Sequence, residues 1–269
     1  MQRSHRPTLP KYSSLCRAEN DRDHCAVIKF SPDELKTLPK QHSAYLVATC
    51  FAINEVLVFL RLKLQTLNSM KLAEPDERLA SVAFMQDQIL TRTLSGKVVE
   101  YLKLIRDHRK ICLRAKDPDV QSFFSEHGEE IDALWNTAGT RFAHEIRNNL
   151  GSHIGLGRIR QTVAALPSGR TTMGIYLHPR DGNTIYPIGE DVAHIAAFDT
   201  SEDVQQWLDW VLDTCRFAQR LHNKYMIWIV ETFFSEKHPN EIRISVDKRL
   251  VSDFQQAIPI LWEFSTEKG

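Results

Sequence analysis

Residues 141–157 read R-F-A-H-E-I-R-N-N-L-G-S-H-I-G-L-G, and the rest of the chain is organised around them. Phe142, Ile146, Leu150 and Ile154 recur at intervals of four, which is one stripe of an α-helix. His144, Arg147, Asn148 and His153 lie off that stripe and make a dense polar edge beside it. Gly151, Gly155 and Gly157 are poor helix formers and loosen or end the element. The spacing predicts a helix over 140–150, with an extension over 156–166 that stops at Pro167-Ser168-Gly169.

Upstream of this stretch the pattern is helical throughout. Ser31-Pro32-Asp33-Glu34 has a serine N-cap, proline at N1 and glutamate at N3, a capping box that opens a short helix disturbed at Pro39. A long apolar helix is expected over 41–67, a break at Glu74-Pro75-Asp76, and a second long helix to about Arg109. Asp117-Pro118 starts another, carrying Val120, Phe123, Phe124, Ile131, Leu134 and Trp135. Downstream the period changes. Residues 173–178 and 184–188 flank Asp181-Gly182 and predict a β-hairpin at about 172–188, with Pro187 on a short edge strand. Asp199-Thr200-Ser201-Glu202-Asp203 then opens a long helix to about Phe234. Glu241–Val246 alternates like a strand. The expected fold is mainly all-α: a helical bundle with a small inserted β-hairpin before its last long helix. Its expected organisation is a flexible N-terminal arm at 1–24, a bundle at 25–235 and a C-terminal extension at 236–269.

Composition bounds the function. The 269 residues are 42% hydrophobic, enough for a sizeable core. Thirty-four basic residues balance 34 acidic ones, so the protein as a whole is not an electrostatic nucleic-acid binder; such binding requires a local patch. Five dispersed cysteines with no C-x-x-C pair fit reduced thiols in a cytoplasmic protein. The polar, Pro- and Arg-bearing N-terminus does not read as a secretory signal. Asn54, Glu55, Arg61 and Lys63 interrupt the apolar run over 44–64, which favours a core helix over a membrane span.

Arg147-Asn148, four intervening residues and His153 form an R-polar-x4-H pattern. With two long helices before it and a hairpin and closing helix after it, this resembles the HEPN family of small helical RNA-cleaving domains. The resemblance covers roughly residues 30–234 in architecture and these few residues as a motif. It implies a metal-independent endoribonuclease with no cofactor, of the kind found in toxin–antitoxin or antiviral defence systems, acting on RNA as a homodimer and paired with an antitoxin or other protein partner. It also implies roles: His153 as acid/base, Arg147 on the phosphate, Asn148 orienting the two.

Those residue types suit that chemistry. Metal-free RNA cleavage needs a group that takes the ribose 2′-OH proton and a positive charge on the phosphate. Histidine titrates near neutral pH, and arginine grips phosphate with a planar, permanently charged fork. Arg147 and His153 are six residues apart, roughly 120° around an ideal helix, so Gly151 must loosen the turn or a second subunit must complete the site.

His144-Glu145-Ile146-Arg147-Asn148-Asn149-Leu150 also resembles the H-box of sensor histidine kinases, which makes His144 an alternative phosphoacceptor. Asn149 stands where the usual proline is, and no ATP-binding motif follows, so only a phosphotransfer module is open on that reading. A non-catalytic helical interaction module is the rival from another class. Arg106, Arg109 and Lys110 belong to a basic run along one helix, and Arg158 and Arg160 follow the motif; together they are the candidate RNA-binding rim. No histidine–carboxylate cluster has metal-ligand spacing in the sequence, so no metal site is expected.

Overall fold

The computed structural model of the chain describes residues 24–146, 156–166, 174–176, 185–198, 200–236 and 240–243. The central motif's Arg147, Asn148 and His153 lie outside the described residues, as does most of the expected hairpin and of both termini.

Among the described residues the architecture is all-α. Eight helices follow one another: α1 (Pro32–Thr37), α2 (Lys40–Ala73), α3 (Glu77–Leu113), α4 (Pro118–Trp135), α5 (Ala138–Ile146), α6 (Leu156–Ala165), α7 (Pro187–Ala197) and α8 (Ser201–Phe233). Short polar side chains set their starts. Ser31 Oγ accepts from the Glu34 amide at 3.2 Å while Glu34 accepts from the Ser31 amide at 2.7 Å, which completes the capping box. Asp76 accepts from the amides of Arg78 and Leu79, Asp117 from that of Asp119, and Thr200 forms a second capping box with Asp203.

The long helices α2, α3 and α8 form the frame, with α4 and α5 packed on it. Leu94, Val98, Tyr101, Leu102 and Ile105 on α3 are fully or almost fully buried, facing Val56 of α2 and Leu221, Tyr225 and Ile229 of α8. The one polar atom of each large aromatic finds a partner at two of these contacts: Tyr101 Oη donates to the Ala218 carbonyl and Trp207 Nε1 to Ser95 Oγ. Gly96 does not interrupt α3, and Gly128 does not interrupt α4.

By length and composition alone α2 is apolar enough to cross a membrane, and only 22% of its most apolar 18-residue window is buried in the fold. Its inward side carries His42, Thr49, Lys63, Gln65, Thr66 and Ser69. Lys63 Nζ meets both carboxylate oxygens of Asp87 on α3, at 2.5 and 2.6 Å, in a pair with only 5% of either side chain exposed. These polar inward contacts are compatible with a soluble protein.

One sequence expectation changes. Of the hairpin expected at about 172–188, the described residues hold an antiparallel bridge between Tyr176 and Ile185, with backbone hydrogen bonds of 2.9 and 3.0 Å, and the rest lies outside them. Pro187 does not sit on an edge strand; it is the first residue of α7, where its fixed φ and missing N–H suit a helix start. The strand expected near Glu241 is present as β2 (Asn240–Arg243), and it pairs antiparallel with β1 (His24–Val27), His24 opposite Arg243.

Candidate functional site

The described chain reaches the edge of the motif through α5. Gly139, Thr140, Phe142, Ala143 and Ile146 are buried, and α5 packs against α8, α3 and α7. The close approach is made by Gly139: a Cβ there would run into the Trp210 side chain of α8. Thr140 Oγ1 donates to the Leu134 carbonyl at 2.9 Å and ties α5 back to the end of α4. The last described residue before the motif, Ile146, is therefore held firmly, and Arg147 follows it in the chain.

Ile146 lines a narrow, half-open cleft of about 20 Å³, room for about one water-sized group, between α3, α7 and the start of α8. Arg92, Glu190, His194, Phe198 and Trp207 share that lining. Arg92 Nη1 and Nη2 donate to the two Glu190 oxygens at 2.6 and 3.1 Å, a bidentate pair in which about a fifth of each side chain is exposed. The His194 ring contacts Phe84 and Phe198, and burial lowers its pKa, opposed by the charge of Glu190. His194 is thus held toward its neutral form, able to accept a proton. The Arg92 fork is already filled by the Glu190 carboxylate.

His144, in the last turn of α5, is half-buried with its ring edge-on to Trp135 at 5.3 Å. Arg106 lies over the other partner of that contact, 4.2 Å from the Trp135 ring centroid. The candidate basic rim is heavily paired. Arg109 reaches Asp132 at 2.5 Å, with Arg106 4.0 Å from the same carboxylate, and Lys110 lies 3.2 Å from Asp107. Arg158 and Arg160 sit on α6, half-buried and exposed respectively.

A second cluster lies deep in the bundle. His42 of α2 and His108 and Cys112 of α3 bring their ligand atoms within 4.8 Å of one another, all three buried. His42 Nδ1 is 3.0 Å from Tyr225 Oη, and Cys112 Sγ is 3.9 Å from a ring nitrogen of His42.

Sequence reasoning did not single out Glu190 or His194. The signal was present: Pro187-Ile188-Gly189-Glu190 puts proline at N1 and an acid in the first turn, and Val192 and Ala196 continue at helical spacing. Nor did it single out the buried cluster: His108 and Cys112 stand four apart on α3, but His42 is 66 and 70 positions from them.

Comparison with protein-family models, with curated proteins and with solved structures returns no match for this chain.

Proposed function

We propose that the protein is a HEPN-like, metal-independent endoribonuclease. His153 takes the proton of a ribose 2′-OH, the 2′-oxygen attacks phosphorus, and the bond to the 5′-oxygen breaks as that oxygen is protonated. Arg147 balances the charge that builds on the phosphoryl oxygens, and Asn148 orients the pair. The observation that supports the reading is the motif's place in the chain: R-N-x4-H begins at the residue after Ile146, the last described residue of the core-anchored helix α5 in an all-α bundle. His194 and the Arg92–Glu190 pair supply the cleft lined by Ile146 with a neutral base and a fixed charge pair. An ideal helix would set Arg147 and His153 roughly 120° apart, so on this reading either Gly151 loosens the turn or, as the dimeric family form implies, a second subunit completes the site in a two-fold dimer. The test is end chemistry: RNA incubated with the protein should yield 2′,3′-cyclic phosphate and 5′-OH termini, whereas 3′-OH and 5′-phosphate ends would rule out 2′-OH attack.

One observation favours a non-catalytic interaction module instead. Val47, Phe51 and Val58 on one side of α2 are 57%, 68% and 51% exposed, an apolar stripe of the kind that buries against a partner. On that reading RNA stays intact, and Phe51→Glu changes the state of assembly without touching the motif.

A further inference from the structure

Buried polar groups in folded proteins have partners, and His108 breaks that rule. Its side chain is fully buried, and neither ring nitrogen has a hydrogen-bond partner among the described residues. The main chain of Gln41 lies near the ring without hydrogen-bond geometry. The ring is instead clamped by aromatics: Tyr45 stacks on it at 4.4 Å and 5° between planes, and Phe124 meets it edge-on at 4.7 Å. Both ring nitrogens of this buried histidine are left without a hydrogen-bond partner among the described residues.

Cys112 is four residues on from His108 along α3, on the same face. His42, in the first turn of α2, presents its ring 5.1 Å from that of His108 and a nitrogen 3.9 Å from Cys112 Sγ. The other His42 nitrogen, Nδ1, is engaged by Tyr225 Oη at 3.0 Å. That is the arrangement found around metals: one ring nitrogen coordinates while the other bonds to an outer group that fixes the tautomer and the ring's direction. We infer that His42, His108 and Cys112 form a binding site for a single thiophilic d10 cation, copper(I) or zinc(II), oriented by Tyr225.

The chemistry of the donor set is consistent. Burial holds His42 at about 4, with the main chain at Val120 pulling weakly back, and His108 at about 3, so both imidazoles are neutral with free lone pairs at neutral pH. Burial also pushes the Cys112 thiol up to about 12, so it carries its proton until a cation arrives. Binding then breaks the S–H bond, forms a metal–sulfur bond and releases one proton to solvent. Two nitrogens and one sulfur are the ligand types shared by copper and zinc sites. One thiolate neutralises a monovalent ion completely, and a dry site favours that balance, so copper(I) is the better fit of the two. Ligand atoms around a tetrahedral zinc stand about 3.3–3.6 Å apart, so occupation draws the three side chains together slightly. The cluster lies where α2 begins and α3 ends, and local opening of two helix termini admits the ion.

The experiment uses the full chain with its thiols reduced. It is titrated anaerobically with copper(I) against a chromophoric copper(I) chelator and separately with zinc(II) against a zinc indicator. One tightly held equivalent of either ion is expected, with the copper arm the tighter. Cys112→Ala and His108→Phe should each lose that equivalent, Tyr225→Phe should weaken it about 10- to 100-fold, and Cys215→Ala should keep it. Because His108→Phe alters the core, each variant's helical circular dichroism is recorded, and X-ray absorption on the loaded wild type reads the ligands directly: two nitrogens and one sulfur. No retained equivalent in either arm, unchanged retention in Cys112→Ala, or an all-sulfur shell overturns the site. Its failure leaves RNA cleavage untouched, since none of these residues belongs to the motif.

Discussion

Gly139 of α5 lies against Trp210 of α8 so closely that no side chain can be accommodated between them. This contact fixes how deeply α5 seats in the bundle, and through Ile146 it fixes where the chain enters the motif. Gly139→Ala must push the indole or the helix aside, an overpacking that costs about 1–3 kcal/mol. The expected result is a lower urea midpoint, together with reduced RNA cleavage on the proposed reading, since Arg147 follows α5 directly in the chain. Trp210→Phe should recover part of the lost stability in the Gly139→Ala background. Equal midpoints for Gly139→Ala and wild type would show that α5 does not depend on this contact.

Lys63 and Asp87 neutralise each other inside the α2–α3 interface. Asp87→Asn strands a buried ammonium and should cost about 3–5 kcal/mol by chemical denaturation. Replacing both, Lys63→Met with Asp87→Leu, should return stability to near the wild-type value, since the desolvation of two charges is then avoided. A double variant as unstable as the single one would contradict this account of the pair.

Acid stability should carry the signature of His222. Its ring is buried, Nδ1 has no hydrogen-bond partner, and burial lowers its pKa to about 4. The unfolded chain, with an ordinary imidazole near 6.5, therefore binds the proton more readily than the folded one. Stability from this group is complete above about pH 6.5 and falls by about 1.4 kcal/mol per pH unit as pH drops from there toward 4. His222→Phe should lower the slope of the unfolding free energy in that window by up to one proton's worth, about 1.4 kcal/mol per pH unit, leaving the parts carried by His42 and His108. A slope unchanged by the substitution would assign the acid sensitivity elsewhere.

Much of the fold was legible in the sequence. Helix starts were, because Ser31, Asp76, Asp117 and Thr200 act through hydrogen bonds to amides two or three residues on. The inward faces of α3 and α8 were, because periodicity is local. Pro187 misled because proline suits both an edge strand and a helix start, and only the packing of α7 on α3 and α6 decides between them. The pairs Lys63–Asp87 and Arg92–Glu190 and the cluster of His42, His108 and Cys112 join separate helices, and no spacing rule reaches across 24 to 98 residues of chain. For the candidate site, the motif was visible as letters, while its neighbours Glu190 and His194 emerged only once α7 closed the cleft.

Assembly gives an independent prediction. If the motif works as facing pairs, the 31.0 kDa chain should run as a dimer in solution at micromolar concentration. Dilution to the monomer should lose cleavage in step with mass. Full activity in a strictly monomeric sample would contradict the two-fold site.

The central claim is tested most directly by RNA cleavage with wild type, His144→Ala, Arg147→Ala and His153→Ala side by side, magnesium added or withheld. The account predicts that His153→Ala and Arg147→Ala each lose about 10²- to 10⁴-fold in rate while keeping wild-type circular dichroism. His144→Ala should lose far less, and magnesium should make no difference. Undiminished cleavage by His153→Ala, or intact RNA with the wild type across varied substrates, would contradict it.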